Sequence, residues 1–204
     1  MIRIRTFAVL CAEIRPGSLE TVMKSALDKV DVIITTGGVS MGELDLLKPT
    51  IERSLDGIIH FGRIAMKPGK PTTFATIPFR TTPKSIFALP GNPASALVTF
   101  HLFVLLSLRK ASGMENPALP IARVTLTQDV KLDPRPEYHR VFITVTETGG
   151  LRAMSTGFQR SSRVGSLTGA NGLLCLPSSK DSGKQSLPKG EVVDAMILGR
   201  LGGI

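Results

Sequence analysis

Lys67 and Lys70 lie three residues apart in "MKPGKP" (66–71), between two prolines and around Gly69. Proline fixes φ, so the stretch presents both ammonium groups at low entropic cost. That suits an oxyanion or a pyrophosphate; a surface loop with solvated lysines would read the same. "TTGGVSMGELD" (35–45) ends an apolar run in Gly37-Gly38 and follows it with Ser40, Gly42, Glu43 and Asp45. Glycines let backbone N–H groups approach an anion. Ser40 can donate to a phosphate oxygen, and Asp45 can hold Mg2+, a hard cation that takes carboxylate and phosphate oxygens. A tight strand-to-helix turn, with Glu43 and Asp45 favouring the helix dipole, is the equal alternative.

"LPGNPAS" (89–95) joins a strand end, Pro90-Gly91, to a helix start at Asn92 and Pro93, with Ser95 in the first turn. Such a terminus welcomes anions and is also simply a well-capped start. "DPRPEYHR" (133–140) and "FQRSSR" (158–163) bring Arg135, Arg140, Arg160 and Arg163 together with Ser161 and Ser162. Arginine forks fit planar or tetrahedral oxyanions, and exposed hairpins would look alike. No Ser/His/Asp triad, zinc spacing or Walker loop is present, so anion sites outweigh any nucleophile. His60, His101 and His139 are scattered, and each reads as structural or surface.

These stretches need strands and helices to hold them. "GSLETVMKSALDKV" (17–30) has apolar residues at 19, 22, 23, 26, 27 and 30, the period of an amphipathic helix capped by Ser18. Strands are expected at 31–35, 57–66, 71–77 and 84–89, with a helix beginning near Glu43 that must accommodate Pro49. "ASALVTFHLFVLLSL" (94–108) is shorter than the ~20 residues a bilayer needs and contains His101, so a buried core helix is expected. The opening arginines and Phe7–Cys11 fall short of a signal peptide. Alternation of this kind argues an α/β sandwich. After residue 116 the texture changes to short strand candidates at 121–127, 139–147, 151–155, 171–176 and 191–198, a small all-β module. "SSKDSGKQSLPKG" (178–190) reads as a polar loop.

The net charge is +9, with 14 basic against 8 acidic residues in 1–113 and 11 against 8 in 114–204. A basic balance in both halves favours an anionic partner. A nucleic-acid binder is not expected, since basic residues are not interleaved with aromatics and no known module is present. Cys11 and Cys175 lie far apart without metal or disulfide spacing, which suits a reducing, cytoplasmic setting.

In this order, "GGVSMGELD", "MKPGKP", "LPGNPAS", "DPRPEYHR", "SSR" and "ANGLLCLP" resemble the molybdopterin molybdenumtransferases, the family of MoeA and the gephyrin E domain. The resemblance runs over residues 18–201 and is strongest in "IHFGRIAMKPGKPTTFAT" and "KGEVVDAMILGRL". It implies residues 18–115 as part of a three-layer α/β molybdopterin-binding domain and 116–204 as a small all-β C-terminal domain, with 1–17 unmatched. It also implies a transferase that inserts molybdate into adenylylated molybdopterin with release of AMP and with Mg2+.

By the same resemblance Asp45 is the catalytic and metal-associated aspartate. Lys67 and Lys70, with Gly69 and Pro71, form the lysine loop. Gly37, Gly38, Ser40 and Gly42 line the pterin–phosphate pocket, with Pro90, Gly91, Asn92 and Ser95 in a second loop. Arg140 or Arg135, with Ser161 and Ser162, supplies the C-terminal contribution. A homodimer is implied for the whole protein. The alternative function is a scaffold that binds a receptor cytoplasmic-loop peptide and clusters inhibitory receptors at the postsynaptic membrane. The family's elongated domain, a further small β domain and the first part of the α/β domain are not in the sequence, so a weakly active form is expected. "SSKDSGKQSL" lacks the tyrosine offered to a receptor peptide.

Overall fold

The computed structural model describes residues 17–39, 46–157, 159 and 164–202 of the 204. They fall into two compact units. The first comprises the chain up to Ile64 and then Gly69–Pro117; the second comprises Ala65–Pro68 and Ala118 onward. The switch comes at Pro117, and four residues from the middle of the first stretch belong to the second unit.

In the first unit α1 (Ser18–Leu27) leads into β1 (Val32–Thr36). Its apolar period buries Met23, Ala26 and Leu27. The N-cap is Gly17, in a left-handed conformation (φ 85°), and not Ser18, which is the first helical residue. Gly17 can take that conformation without strain. Next come α2 (Leu47–Pro49) and a π-helical turn, Thr50–Ser54. Pro49 is tolerated because the first N–H groups of a helix have no internal acceptor. β2 (Ile58–Phe61), β3 (Thr73–Ile77) and β4 (Lys84–Leu89) follow. β2 is shorter than the sequence suggested.

The sheet order is β1-β4-β3-β2, with β1 parallel to β4 and the other pairs antiparallel. Strand residues alternate between faces. Ile86 and Ala88 of β4 pack with Met23, Leu27, Leu47 and Ile51 on one side. Phe87 and Leu89 pack with Phe100, Phe103, Val104 and Leu108 on the other. The second helical layer is α3 (Pro93–Thr99), a π-helical turn (Phe100–Val104) and α4 (Leu105–Ala111). This continuous helix is long and apolar enough to cross a bilayer by length and composition alone. Here its apolar face covers the sheet, giving three layers.

The second unit is a closed barrel of β5 (Ile121–Leu126), β7 (Glu137–Val145), β8 (Leu151–Ser155), β9 (Gly172–Leu176) and β11 (Val192–Ile197), in the order β11-β5-β8-β7-β9. Val124, Leu126, Val141, Ile143, Ala153, Leu174, Leu176 and Ala195 fill its centre. β6 (Val130–Lys131) and β10 (Ser186–Leu187) form a separate two-stranded pair. The expected polar loop also contains α5 (Ser179–Ser182), capped by Ser178, whose hydroxyl accepts from the Lys180 and Asp181 N–H groups.

Candidate anion-binding residues

In the first unit the parallel pair β1–β4 brings two of the expected loops side by side. Gly37 follows β1 and donates its N–H to Leu89 O at the end of β4 (3.0 Å). Gly37 and Gly38 both have positive φ, 89° and 70°. A Cβ on Gly91 would stand 3.4 Å from the Gly37 Cα, close to ordinary van der Waals contact, so the two loops lie side by side. Pro90 is buried, while Gly91 and Asn92 are exposed at the start of α3. Asn92 is the extended N-cap and Pro93 opens the helix. Ser95 is buried, and its carbonyl accepts from Thr99 Oγ1 (2.9 Å). Open α/β sheets bind ligands at the carboxyl ends of their strands, where these glycines lie.

Gly69, Lys70 and Pro71 lead into β3 in the same unit. Gly69 has φ 112°, and its carbonyl accepts from both the N–H and the hydroxyl of Thr72 (3.0 and 2.7 Å). Lys70 O accepts from Ile64 N (2.9 Å), while the Lys70 side chain is exposed. The backbone is thus fixed and the ammonium is presented to solvent. Ser40, Gly42 and Asp45 lie outside the described residues.

In the second unit Lys67 pairs with the start of β7. Its N–H donates to Pro136 O (2.9 Å), and its carbonyl accepts from Tyr138 N (2.8 Å). Its ammonium lies 3.1 Å from Glu137 Oε2 and 3.4 Å from Asp133 Oδ2. Glu137 is 2% exposed. Its second oxygen meets His139 Nδ1 (3.2 Å), and His139 Nε2 meets the Ser155 hydroxyl (2.7 Å).

Arg135 folds back onto Asp133, its backbone N–H and Nε each 3.0 Å from Oδ1. Burial pushes the Asp133 carboxyl up, but hydrogen bonds and charge from Arg135, with the Lys67 charge, hold it below the ordinary carboxylate value. Arg140 is fully buried in β7; burial lowers its pKa, against the opposing pull of Glu137. Its backbone N–H donates to Gln159 Oε1 (2.8 Å), and its carbonyl accepts from Gln159 Nε2 (3.2 Å). Of the two candidate arginines, Arg135 is the half-buried one. Arg160, Ser161, Ser162 and Arg163 lie outside the described residues.

Glu137 and His139 were not picked out from the sequence as partners of the lysine loop. Their only local signal is a carboxylate and a histidine at i, i+2, on the same face of a strand. Among the described residues no group of three His, Cys, Asp or Glu side chains could hold a metal ion.

Glycine-lined strand ends on an α/β sheet, followed by a β-barrel carrying lysine, arginine and carboxylates, make a tandem protein suited to anionic ligands. Residues 15–110 match the family described as "Probable molybdopterin binding domain", and residues 123–198 match "MoeA C-terminal region (domain IV)". The chain belongs to the MoeA/gephyrin family.

Among its relatives, a Dictyostelium discoideum protein named gephyrin is 44% identical, over 90% of this chain and 28% of its own length. The Drosophila melanogaster molybdenum cofactor synthesis protein cinnamon is 43% identical, over 83% of this chain and 27% of its own. A Staphylococcus aureus molybdopterin molybdenumtransferase is 33% identical, over 86% of this chain and 40% of its own. The crystal structure of a molybdopterin biosynthesis MoeA protein from Pyrococcus horikosii superposes with a TM-score of 0.70 at 28% identity, over 93% of this chain and 42% of that one. The chain thus spans between about a quarter and two fifths of the length of these relatives.

Proposed function

We propose that the protein acts in molybdenum cofactor biosynthesis, in the transfer of molybdate into adenylylated molybdopterin with release of AMP. The observation that carries this reading is the tandem of matches, a molybdopterin-binding domain followed by a MoeA C-terminal region. The geometry supports it through the Gly37–Gly91 approach and the fixed lysine stretch, which suit phosphate and oxyanion.

The roles divide between the units. Gly37, Gly38, Pro90, Gly91, Asn92 and Ser95, with Ser40 and Gly42, take the pterin phosphate. Gly69, Lys70 and Pro71 present a cation to an oxyanion, and Lys67 is the other candidate cation of the lysine stretch. Arg135 and Arg140, with Ser161 and Ser162, serve the C-terminal side. Asp45 is the candidate Mg2+ ligand and catalytic carboxylate. The whole protein acts as a cytoplasmic homodimer. No observation favours the receptor-peptide alternative.

The test is AMP release by this chain from adenylylated molybdopterin with molybdate and Mg2+, beside a full-length relative. Release above the protein-free rate and below that of the relative is expected, since the chain covers only part of each relative. Release by the relative alone would refute the activity for this chain.

A further inference from the structure

The Lys67 ammonium sits between two carboxylates contributed by residues 66 and 70 positions further along the chain. One of them, Glu137, is almost wholly buried. A buried carboxylate needs a cation and further hydrogen bonds. Lys67 supplies the cation, and His139 engages the second oxygen while its other ring nitrogen is anchored on Ser155. The backbone of Lys67 is also clamped at both N–H and carbonyl by the start of β7. Neither main chain nor side chain is therefore free to swing. An ammonium has three N–H donors. Two face Asp133 and Glu137, and the side chain keeps 31% of its surface open.

We propose that Glu137, braced by His139, is a positioning residue: it holds the Lys67 ammonium in place so that its open face receives an oxyanion. This rests on the reading of Lys67 as an anion-binding lysine. The charges allow it, because the Lys67 and Arg135 cations balance the two carboxylates they contact, Asp133 and Glu137, and leave no surplus negative charge among these four groups. The competing role for Glu137 is shielding, in which the carboxylate merely cancels the lysine and repels an incoming anion. The two roles predict opposite effects of removing the charge.

The test uses the whole 204-residue chain with 15N-labelled lysine. The Lys67 ammonium resonance is assigned by its loss in Lys67→Met, and inorganic molybdate is the probe. A resolved, slowly exchanging Lys67 signal is expected in the wild type, shifting with molybdate. Glu137→Gln keeps the side-chain shape. It should broaden that signal away and weaken molybdate binding about tenfold, the size of one charge-assisted hydrogen bond. His139→Gln removes only the brace and should weaken binding about threefold, within the range of a neutral hydrogen bond. It carries the test if Glu137→Gln does not fold.

A Lys67 signal that is absent in the wild type, or unchanged in both variants, overturns the proposal. Tighter molybdate binding in Glu137→Gln also overturns it, in favour of shielding. If the variants erase the signal but molybdate shifts nothing even in the wild type, the positioning of Lys67 stands and the anion reading fails.

Discussion

Replacing Asn171 with alanine would remove the side chain that finishes the β7 edge of the barrel. β9 pairs with β7 from Leu176↔Glu137 to Gly172↔Val141 and then turns away. Beyond that point the Asn171 side-chain amide takes over. Its Oδ1 accepts from Ile143 N (2.6 Å), and its Nδ2 donates to Ile143 O and Arg200 O (2.9 Å each). In Asn171→Ala the Ile143 carbonyl keeps a donor, Gly202 N at 3.0 Å. The Ile143 N–H loses its acceptor in a residue with no exposed surface.

One buried unsatisfied donor costs about 1–3 kcal/mol, and the lost bond to Arg200 O adds about 0.5–1.5 kcal/mol. A loss of roughly 2–4 kcal/mol follows for the barrel. Tyr138 is the sole tyrosine, tryptophan is absent, and Tyr138 lies in β7. Tyrosine emission during urea unfolding therefore reports the barrel alone. The urea midpoint should fall with an unchanged slope. A loss under about 0.5 kcal/mol, the ordinary size of a surface substitution, would refute this account of the edge.

Gly172→Ala drives a Cβ into Ile143 Cδ1 and to 3.2 Å from Met196 O, so it should cost about 1–3 kcal/mol by overpacking. Adding Ile143→Val, which deletes that methyl, should recover part of the loss in the same urea assay. Asp133 has a lowered folded pKa, so its stabilisation is present above the ordinary 3.8 and is lost as pH falls through the lower folded value. Arg135→Met should flatten this acid limb in urea midpoints measured downward from neutral pH. Burial, then the Asp194 charge, raises the Cys175 thiol, so its contribution is present below the ordinary 9.0 and is lost as pH rises through the raised value. Cys175→Ser should keep more of its stability than the wild type above that pH.

The elements with a strong local period were legible in the sequence. The 3–4 spacing of Leu19, Val22, Met23, Ala26 and Leu27 identified α1, and the β-branched run before Gly37 identified β1. The turn after β1 was legible as well, because a double glycine marks a backbone that takes positive φ, as Gly37 and Gly38 both do. What escaped has no local signature. β6 and β10 are two residues each and exist only because they pair with each other. The cap at Ser178 was hidden in a string of polar residues that reads equally well as a loop. The clasp of Glu137 on Lys67 spans 70 positions, and no spacing rule reaches that far. His139 reads as structural until its two ring nitrogens are seen to join Glu137 to Ser155.

Residues 65–68 belong to the barrel unit although the chain on either side of them belongs to the other. The family match to the molybdopterin-binding domain nevertheless runs through them, from 15 to 110. A fragment cut at Pro117 would therefore not be a clean module. Residues 118–204 alone would carry Glu137 without its lysine and leave the first backbone pairing of β7 open at Pro136 and Tyr138. Recombination or engineering that exchanges C-terminal domains within this family has to carry the short "AMKP" insert with the barrel, or supply another cation for the carboxylate it leaves behind.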